Sequence, residues 1–166
     1  MTVPTTGPGP TVRVTRDACV ARVALARPDK RNAFDPTMIA ELTCAFRSLA
    51  AAPDVRVVVL SGDGQAFSAG ADVDYMRALG AASYTDNIAD ARLLAALFAA
   101  IRDCPRPVVA RVHGAAMGGG AGLVAAADIA VAARSTRFAF GESRLGIVPA
   151  VISPVVLPRI GLAAAR

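Results

Sequence analysis

The chain has 166 residues, 54% apolar, 19% charged and 5% aromatic, with no tryptophan, a size and composition that support one domain with a real core. Its formal charge of +5 first suggests a polyanionic partner. However, its 18 basic residues, 17 Arg and Lys30, are spread from Arg13 to Arg166, with no run longer than Lys30-Arg31 and no interleaved aromatics. That distribution argues against a nucleic-acid stacking surface.

Met1 to Pro10 is rich in Thr, Pro and Gly, with neither a basic start nor an apolar segment, so a loose leader over residues 1–10 is expected rather than a signal peptide. A core domain is expected over residues 11–166. Val12-Arg13-Val14 and Val20 to Leu25 alternate with period two around Arg16-Asp17 and predict a hairpin of half-buried strands. Residues 27–32, Arg-Pro-Asp-Lys-Arg-Asn, form a polar loop. Asp35-Pro36 supplies an N-cap with proline at the first helical position. Met38, Leu42, Ala45, Phe46 and Leu49 then make one apolar face of a helix to about Ala52. Val55 to Leu60 is a β-branched run that predicts a buried strand, ending in a turn at Ser61-Gly62-Asp63-Gly64.

Gln65 to Asp74 is rich in small residues and fits no period. From about Thr85 to Asp103, Ile88, Leu93, Leu94, Leu97 and Ile101 predict a long helix, stopped by Pro105 and Pro107. Val108 to Val112 predicts a further buried strand, running into His113-Gly114 and the glycine cluster Gly118-Gly119-Gly120-Ala121-Gly122. Leu123 to Ala127 is expected to be helical and Ile129 to Ala133 to be a short strand. Strands and helices alternating with Gly-rich strand exits indicate an α/β single domain.

Gly114 to Ala133 carries one charge, Asp128, and its small-residue spacing fits a membrane helix. Three consecutive glycines and a buried aspartate argue against a span. The three cysteines, Cys19, Cys44 and Cys104, lie far apart with no CxxC pair, and His113 is the only histidine. No metal set is expected, and the cysteines read as reduced, mostly buried thiols of a cytoplasmic protein. His113, at a strand end, is expected to be structural.

The glycine cluster fails as a nucleotide loop. A dinucleotide fingerprint starting at Gly118 needs glycine where Leu123 stands, and no Lys-Ser/Thr pair follows. What survives is a strand-to-helix junction whose free N–H groups suit an anion or oxyanion. Glycines that only permit tight packing are the alternative. Phe67-Ser68-Ala69-Gly70-Ala71-Asp72 is a second junction of this kind, so two donors can converge on one oxygen and stabilise an enolate. Asp72 and Asp74 are expected to cap a helix or be solvated. Glu142, between Phe140-Gly141 and Gly146, is a partly desolvated candidate general acid/base; a surface pairing with Arg144 is the alternative.

Read together, these segments resemble the enoyl-CoA hydratase/isomerase (crotonase) superfamily, from about Val12 to the end of the chain. Residues 27–34 look like its CoA-contacting loop, 66–72 and 113–120 like its two oxyanion segments, and 138–149 like the segment carrying its acid. The resemblance implies a crotonase-like (ClpP/crotonase) spiral of β-β-α units. It also implies an acyl-CoA thioester substrate, coenzyme A being part of that substrate, with no separate cofactor.

Position by position, it implies that the N–H groups of Ala69 and Gly119 form the oxyanion hole. Lys30 and Arg31 would lie near the CoA phosphates, and Ala71, Asp72 and Val73 would line the adenine and pantetheine path. Ala33, Gly70, Gly118 and Gly122 complete the substrate-binding set. Glu142 falls on the second of the two hydratase glutamates; the first falls on Gly122. A hydratase branch acting on methylglutaconyl-type acyl-CoAs is similar in residues 122–128 and 146–154 and has glycine there, the substrate's carboxylate or a bound water filling the gap. The implied activity is hydration of a 2-enoyl-CoA. An enoyl-CoA isomerase using the same glutamate and a non-catalytic acyl-CoA-binding homologue are the rivals. Family members implied by the resemblance form trimers or hexamers through a C-terminal helical segment, which this chain is expected to lack.

Overall fold

The computed structural model describes residues 9–166, apart from the side chains of Arg144 and Leu145. The expected leader therefore lies, but for Gly9 and Pro10, outside the described residues, as does any pairing of Glu142 with Arg144.

Seven strands and five α-helices follow in the order β1 (Val12–Asp17), β2 (Val20–Leu25), α1 (Pro36–Ala51), β3 (Val57–Gly62), α2 (Val73–Gly80), α3 (Tyr84–Arg102), β4 (Val108–Val112), β5 (Ala115–Met117), α4 (Gly119–Ala126), β6 (Ile129–Ala132), β7 (Arg137–Ala139) and α5 (Ser153–Ala165). The main sheet runs β1-β2-β3-β4-β6, antiparallel only at the β1–β2 hairpin. Parallel neighbours need crossovers, and α1 and α2–α3 supply two of them. A second sheet of two parallel strands pairs β5 with β7, Ala115 facing Arg137.

The Asp35 carboxylate caps α1 by accepting from the Met38 N–H at 2.9 Å. Met38, Ile39, Leu42, Phe46 and Leu49 of α1 are buried, joined by Leu97, Phe98 and Ile101 of α3 against the sheet. Ala45 is only half-buried and Ile88 and Leu93 are exposed, so the buried face of α3 is confined to its C-terminal half.

β3 begins and ends two residues later than the apolar run suggests. Ser61 and Gly62 are not turn residues: they pair with Ala24 and Leu25, extending the ladder to Asp63. α4 begins within the glycines, not after them. The segment Gly114–Ala133 is divided among β5, α4 and β6, and no helix of the described residues is long and apolar enough to cross a membrane.

The cysteine expectation is corrected as well. Cys19 and Cys44 are exposed and Cys104 is half-buried, because the first lies in the hairpin turn and the second on the outer side of α1. His113 is placed structurally, its Nε2 lying 2.9 Å from the Gly64 carbonyl oxygen.

Candidate active site

The site forms where three segments meet. Phe34 makes a parallel bridge with Ala71, and Ser68 makes another with Ala116. At the first, the Phe34 N–H donates to Gly70 O (2.9 Å) and the Asp72 N–H donates to Phe34 O (3.0 Å). In a parallel pairing of this kind the residue between the two bonds, Ala71, turns its own N–H away from the partner segment. The preceding amides are occupied. Ala69 N–H donates to Arg31 O at 2.9 Å, and Gly70 N–H to Ser68 Oγ at 3.1 Å. Ala69 therefore does not provide the free donor expected of it. Ala71, one period further on, has no hydrogen-bond acceptor among the described residues.

The opposing donor comes from α4. Gly118 is its N-cap, in the left-handed region at φ 49°, and its N–H donates to Ala139 O of β7 at 2.8 Å. Gly119 is the first helical residue, so its N–H belongs to the orphan amides of a helix start. The two junctions touch: a Cβ on Gly70 would lie 2.8 Å from Met117 O and 3.7 Å from Gly119 N. The glycines also permit close packing, the alternative reading of the cluster. A Cβ on Gly119 would collide with the Phe34 ring, and one on Gly118 would meet Glu142 Oε1 at 3.0 Å.

These parts border a cavity of about 500 Å³. Ala69, Gly70, Ala71, Gly118, Gly119 and Glu142 border it, together with Phe34, Met117 and Gly141. Met76 and Leu79 of α2, Asn87, Asp90, Ala91 and Leu94 of α3, and residues 147–152 complete the wall. Glu142 sits at the start of a 3-10 turn that ends at Gly146 in the left-handed region, φ 70°. Its Oε2 is buried without a hydrogen-bond partner. A buried acceptor left free at a cavity wall is prepared to take a proton or hold a polar substrate atom.

Other expected site residues lie elsewhere. Lys30 is half-exposed, 3.8 Å from Asp74 Oδ2, and exposed Arg31 adopts φ 51°; neither borders the cavity. Ala33 is buried, its carbonyl accepting from Arg27. Asp72 is buried and caps α2 by accepting from the Asp74 N–H at 2.9 Å. That bond, with Lys30 and Arg27 nearby, holds its carboxyl below the usual range against the opposing effect of burial. Val73 is exposed as the first residue of α2.

Gly122 is buried and does not border the cavity. A Cβ there would lie 2.8 Å from Ile152 Cγ2 and 3.0 Å from Phe98 Cζ. The space that a side chain at 122 would need is filled by core, so Gly122 is a packing residue and not a substrate contact.

Two residues outside the expected set belong here. Tyr75 O–H donates to Asp90 Oδ1. Burial, then the hydrogen bond and charge of Asp90, push the Tyr75 phenol well above its ordinary range. Asn87, Asp90, Ala91 and Leu94 have the i, i+3, i+4, i+7 spacing of one helix face, which was available from the predicted helix alone.

The other large cavity, about 590 Å³, lies between α1 and α3 and has no carboxylate in its lining. Among the described residues no group of acidic, His and Cys side chains could hold a metal ion.

The enoyl-CoA hydratase/isomerase family model matches residues 15–166. This chain belongs to the enoyl-CoA hydratase/isomerase family. An enoyl-CoA hydratase/isomerase (crotonase) structure from Legionella pneumophila superposes with a TM-score of 0.92 at 40% identity, covering 95% of this chain and 61% of that one. The fold is therefore that of the crotonases. A Thermus thermophilus relative named enoyl-CoA hydratase is 38% identical over 89% of this chain and 58% of its own length. A mouse relative named mitochondrial Δ(3,5)-Δ(2,4)-dienoyl-CoA isomerase is 35% identical over 85% of this chain and 46% of its own. This crotonase-family chain thus spans about half to three-fifths of the length of these relatives.

Proposed function

We propose that the cavity takes the acyl thioester of an enoyl-CoA and that the protein adds water reversibly across its C2–C3 double bond. The observation that carries this reading is the unpartnered Glu142 Oε2 beside the amide junction of Ala71 and Gly119. Those two N–H groups would hold the thioester oxygen. As the oxygen of water bonds to C3, Glu142 takes one of its protons, and the C2–C3 π electrons move onto the thioester oxygen as an enolate. Two fixed donors at that oxygen lower the barrier because they need no reorganisation as charge develops. Glu142 then returns the proton to C2 and the carbonyl re-forms, so hydrogen and hydroxyl have been added without other reactants.

Exposed Arg31 and half-exposed Lys30 would meet the CoA phosphates outside the cavity. The wall carries Asp90 and Glu142 and, among the described residues, no cation. That favours an uncharged acyl chain over a carboxylate-bearing methylglutaconyl type.

The same groups suit isomerisation. A single carboxylate at the amide junction is what moving a proton between carbons of one acyl chain requires, and position 122 contributes none.

The test is incubation of the 166-residue protein with crotonyl-CoA, methylglutaconyl-CoA and a 3-enoyl-CoA, with isothermal titration of saturated butyryl-CoA. Hydration of crotonyl-CoA that falls at least about 10²-fold in Glu142→Gln, with butyryl-CoA affinity kept, is expected. Turnover surviving that substitution removes Glu142 from the chemistry. Conversion of the 3-enoyl-CoA alone selects the isomerase. Binding without turnover of any substrate leaves a non-catalytic acyl-CoA-binding protein.

A further inference from the structure

With one carboxylate taking the proton, the water still needs a second acceptor to orient its lone pair toward C3. Position 122 cannot supply one, because Ile152 and Phe98 occupy the volume into which its side chain would grow.

Asp90 is the other carboxylate on the same cavity wall. It is half-buried on α3 and anchored through Oδ1 by the Tyr75 hydroxyl. Its Oδ2 has no partner among the described residues. An ionised carboxylate accepts several hydrogen bonds, so the bond from Tyr75 fixes its orientation without exhausting it. Tyr75, kept as a neutral phenol by burial and by Asp90, remains a donor.

We propose that Asp90 holds the oxygen at C3: it accepts a hydrogen bond from the attacking water and, in the reverse direction, from the hydroxyl of the 3-hydroxyacyl group. Tyr75 is then a positioning residue acting through Asp90. This rests on the acyl-CoA reading of the cavity and adds the second oxygen-binding group to it. No proton leaves the oxygen toward Asp90; the single proton transfer remains that of Glu142.

The consequence is visible at equilibrium, without turnover. Calorimetry of the protein with 3-hydroxybutyryl-CoA and with butyryl-CoA compares two ligands that differ by the hydroxyl alone. A hydrogen bond to a charged acceptor in this setting corresponds to a preference of about tenfold or more for the hydroxyacyl ligand. Asp90→Leu is expected to abolish that preference while keeping butyryl-CoA affinity. Asp90→Asn, close in shape and serving where the leucine variant does not fold, is expected to reduce it several-fold. Tyr75→Phe should reduce it less than Asp90→Leu does.

An unchanged preference in both Asp90 variants overturns the proposal, as does equal binding of the two ligands by the wild type. If the wild type binds neither ligand, the acyl-CoA reading itself fails, and this proposal with it.

Discussion

Gly122→Glu places a glutamate where the family resemblance puts the first of the two hydratase glutamates, and the structure predicts damage instead of added catalysis. The first added atom already collides. Cβ would lie 2.8 Å from Ile152 Cγ2 and 3.0 and 3.1 Å from Phe98 Cζ and Cε1, and both neighbours are buried, Phe98 within the core and Ile152 at the wall of the cavity of about 500 Å³. Overpacking of this kind costs about 1–3 kcal/mol, offset by up to about 1 kcal/mol from the improved helix propensity over glycine. The carboxylate must then be buried among apolar groups or be protonated, at several kcal/mol more. The sum is about 4 kcal/mol, a third or more of the stability of many small domains.

Urea unfolding followed by far-UV circular dichroism reads this directly. With a slope near 2 kcal/mol per molar, the midpoint should fall by roughly 2 M. Ile152→Ala opens the closest contact, so the double variant should be less destabilised than the sum of the two singles by about 1 kcal/mol. A Gly122→Glu protein whose stability lies within about 0.5 kcal/mol of wild type would refute the packing argument. So would faster hydration of crotonyl-CoA by that variant.

Lys30→Ala with Arg31→Ala should raise the KM for an acyl-CoA roughly fivefold and leave kcat unchanged, with the wild-type advantage shrinking as salt is added; steady-state kinetics at two ionic strengths checks both. Asp72 has a folded-state pKa below its unfolded value. Its contribution is therefore fully present above the unfolded pKa, near 3.9, and is lost as pH falls through the folded one. Asp72→Asn should cost about 1 kcal/mol at neutral pH and flatten the decline of stability below about pH 4, as measured by urea unfolding across that range.

What the sequence discloses depends on whether a signal is local. α1 is legible because Asp35-Pro36 and an apolar stripe agree, β2 because its residues alternate with period two, and β3 and β4 because each is a short valine-rich run. β5 and β7 are not legible. Each has three residues, and they exist because Ala115 meets Arg137 across α4 and β6. α2 begins at the end of the small-residue segment 65–74, marked in advance by the capping carboxylate of Asp72.

Within the site, the two junctions and Glu142 follow from residue type and spacing, but the choice of donor does not. Whether Ala69 or Ala71 offers its N–H is set by the 31–34 segment, whose Arg31 carbonyl takes the Ala69 N–H while its pairing through Phe34 leaves that of Ala71 free, a tertiary fact. Position 122 shows the same limit: the sequence shows a missing side chain but cannot show that Ile152 and Phe98 fill its place. Asp90 escapes attention because its partner, Tyr75, lies on a different helix.

The site's rigidity then has a definite origin. The strip that carries Ala71 is held on one edge by Arg31 O and Phe34, and on the other by Ala115 O and Met117 N–H. Arg27 ties down its far end, with Nη1 3.1 Å from the Asp35 cap of α1 and Nη2 3.2 Å from the Asp72 cap of α2. Asn32, buried and in the left-handed region at φ 54°, fixes the neighbouring turn by donating to Asp63 O and Ala66 O and accepting from Arg27 N–H. A single guanidinium and a single amide thus join the polar loop to both helix starts and to the strip between them. Arg27, Arg31 and Asn32 thus help to hold the Ala71 amide in place without bordering the cavity, and substitutions at Arg27 or Asn32 are expected to act on the proposed chemistry through the direction of that one backbone N–H.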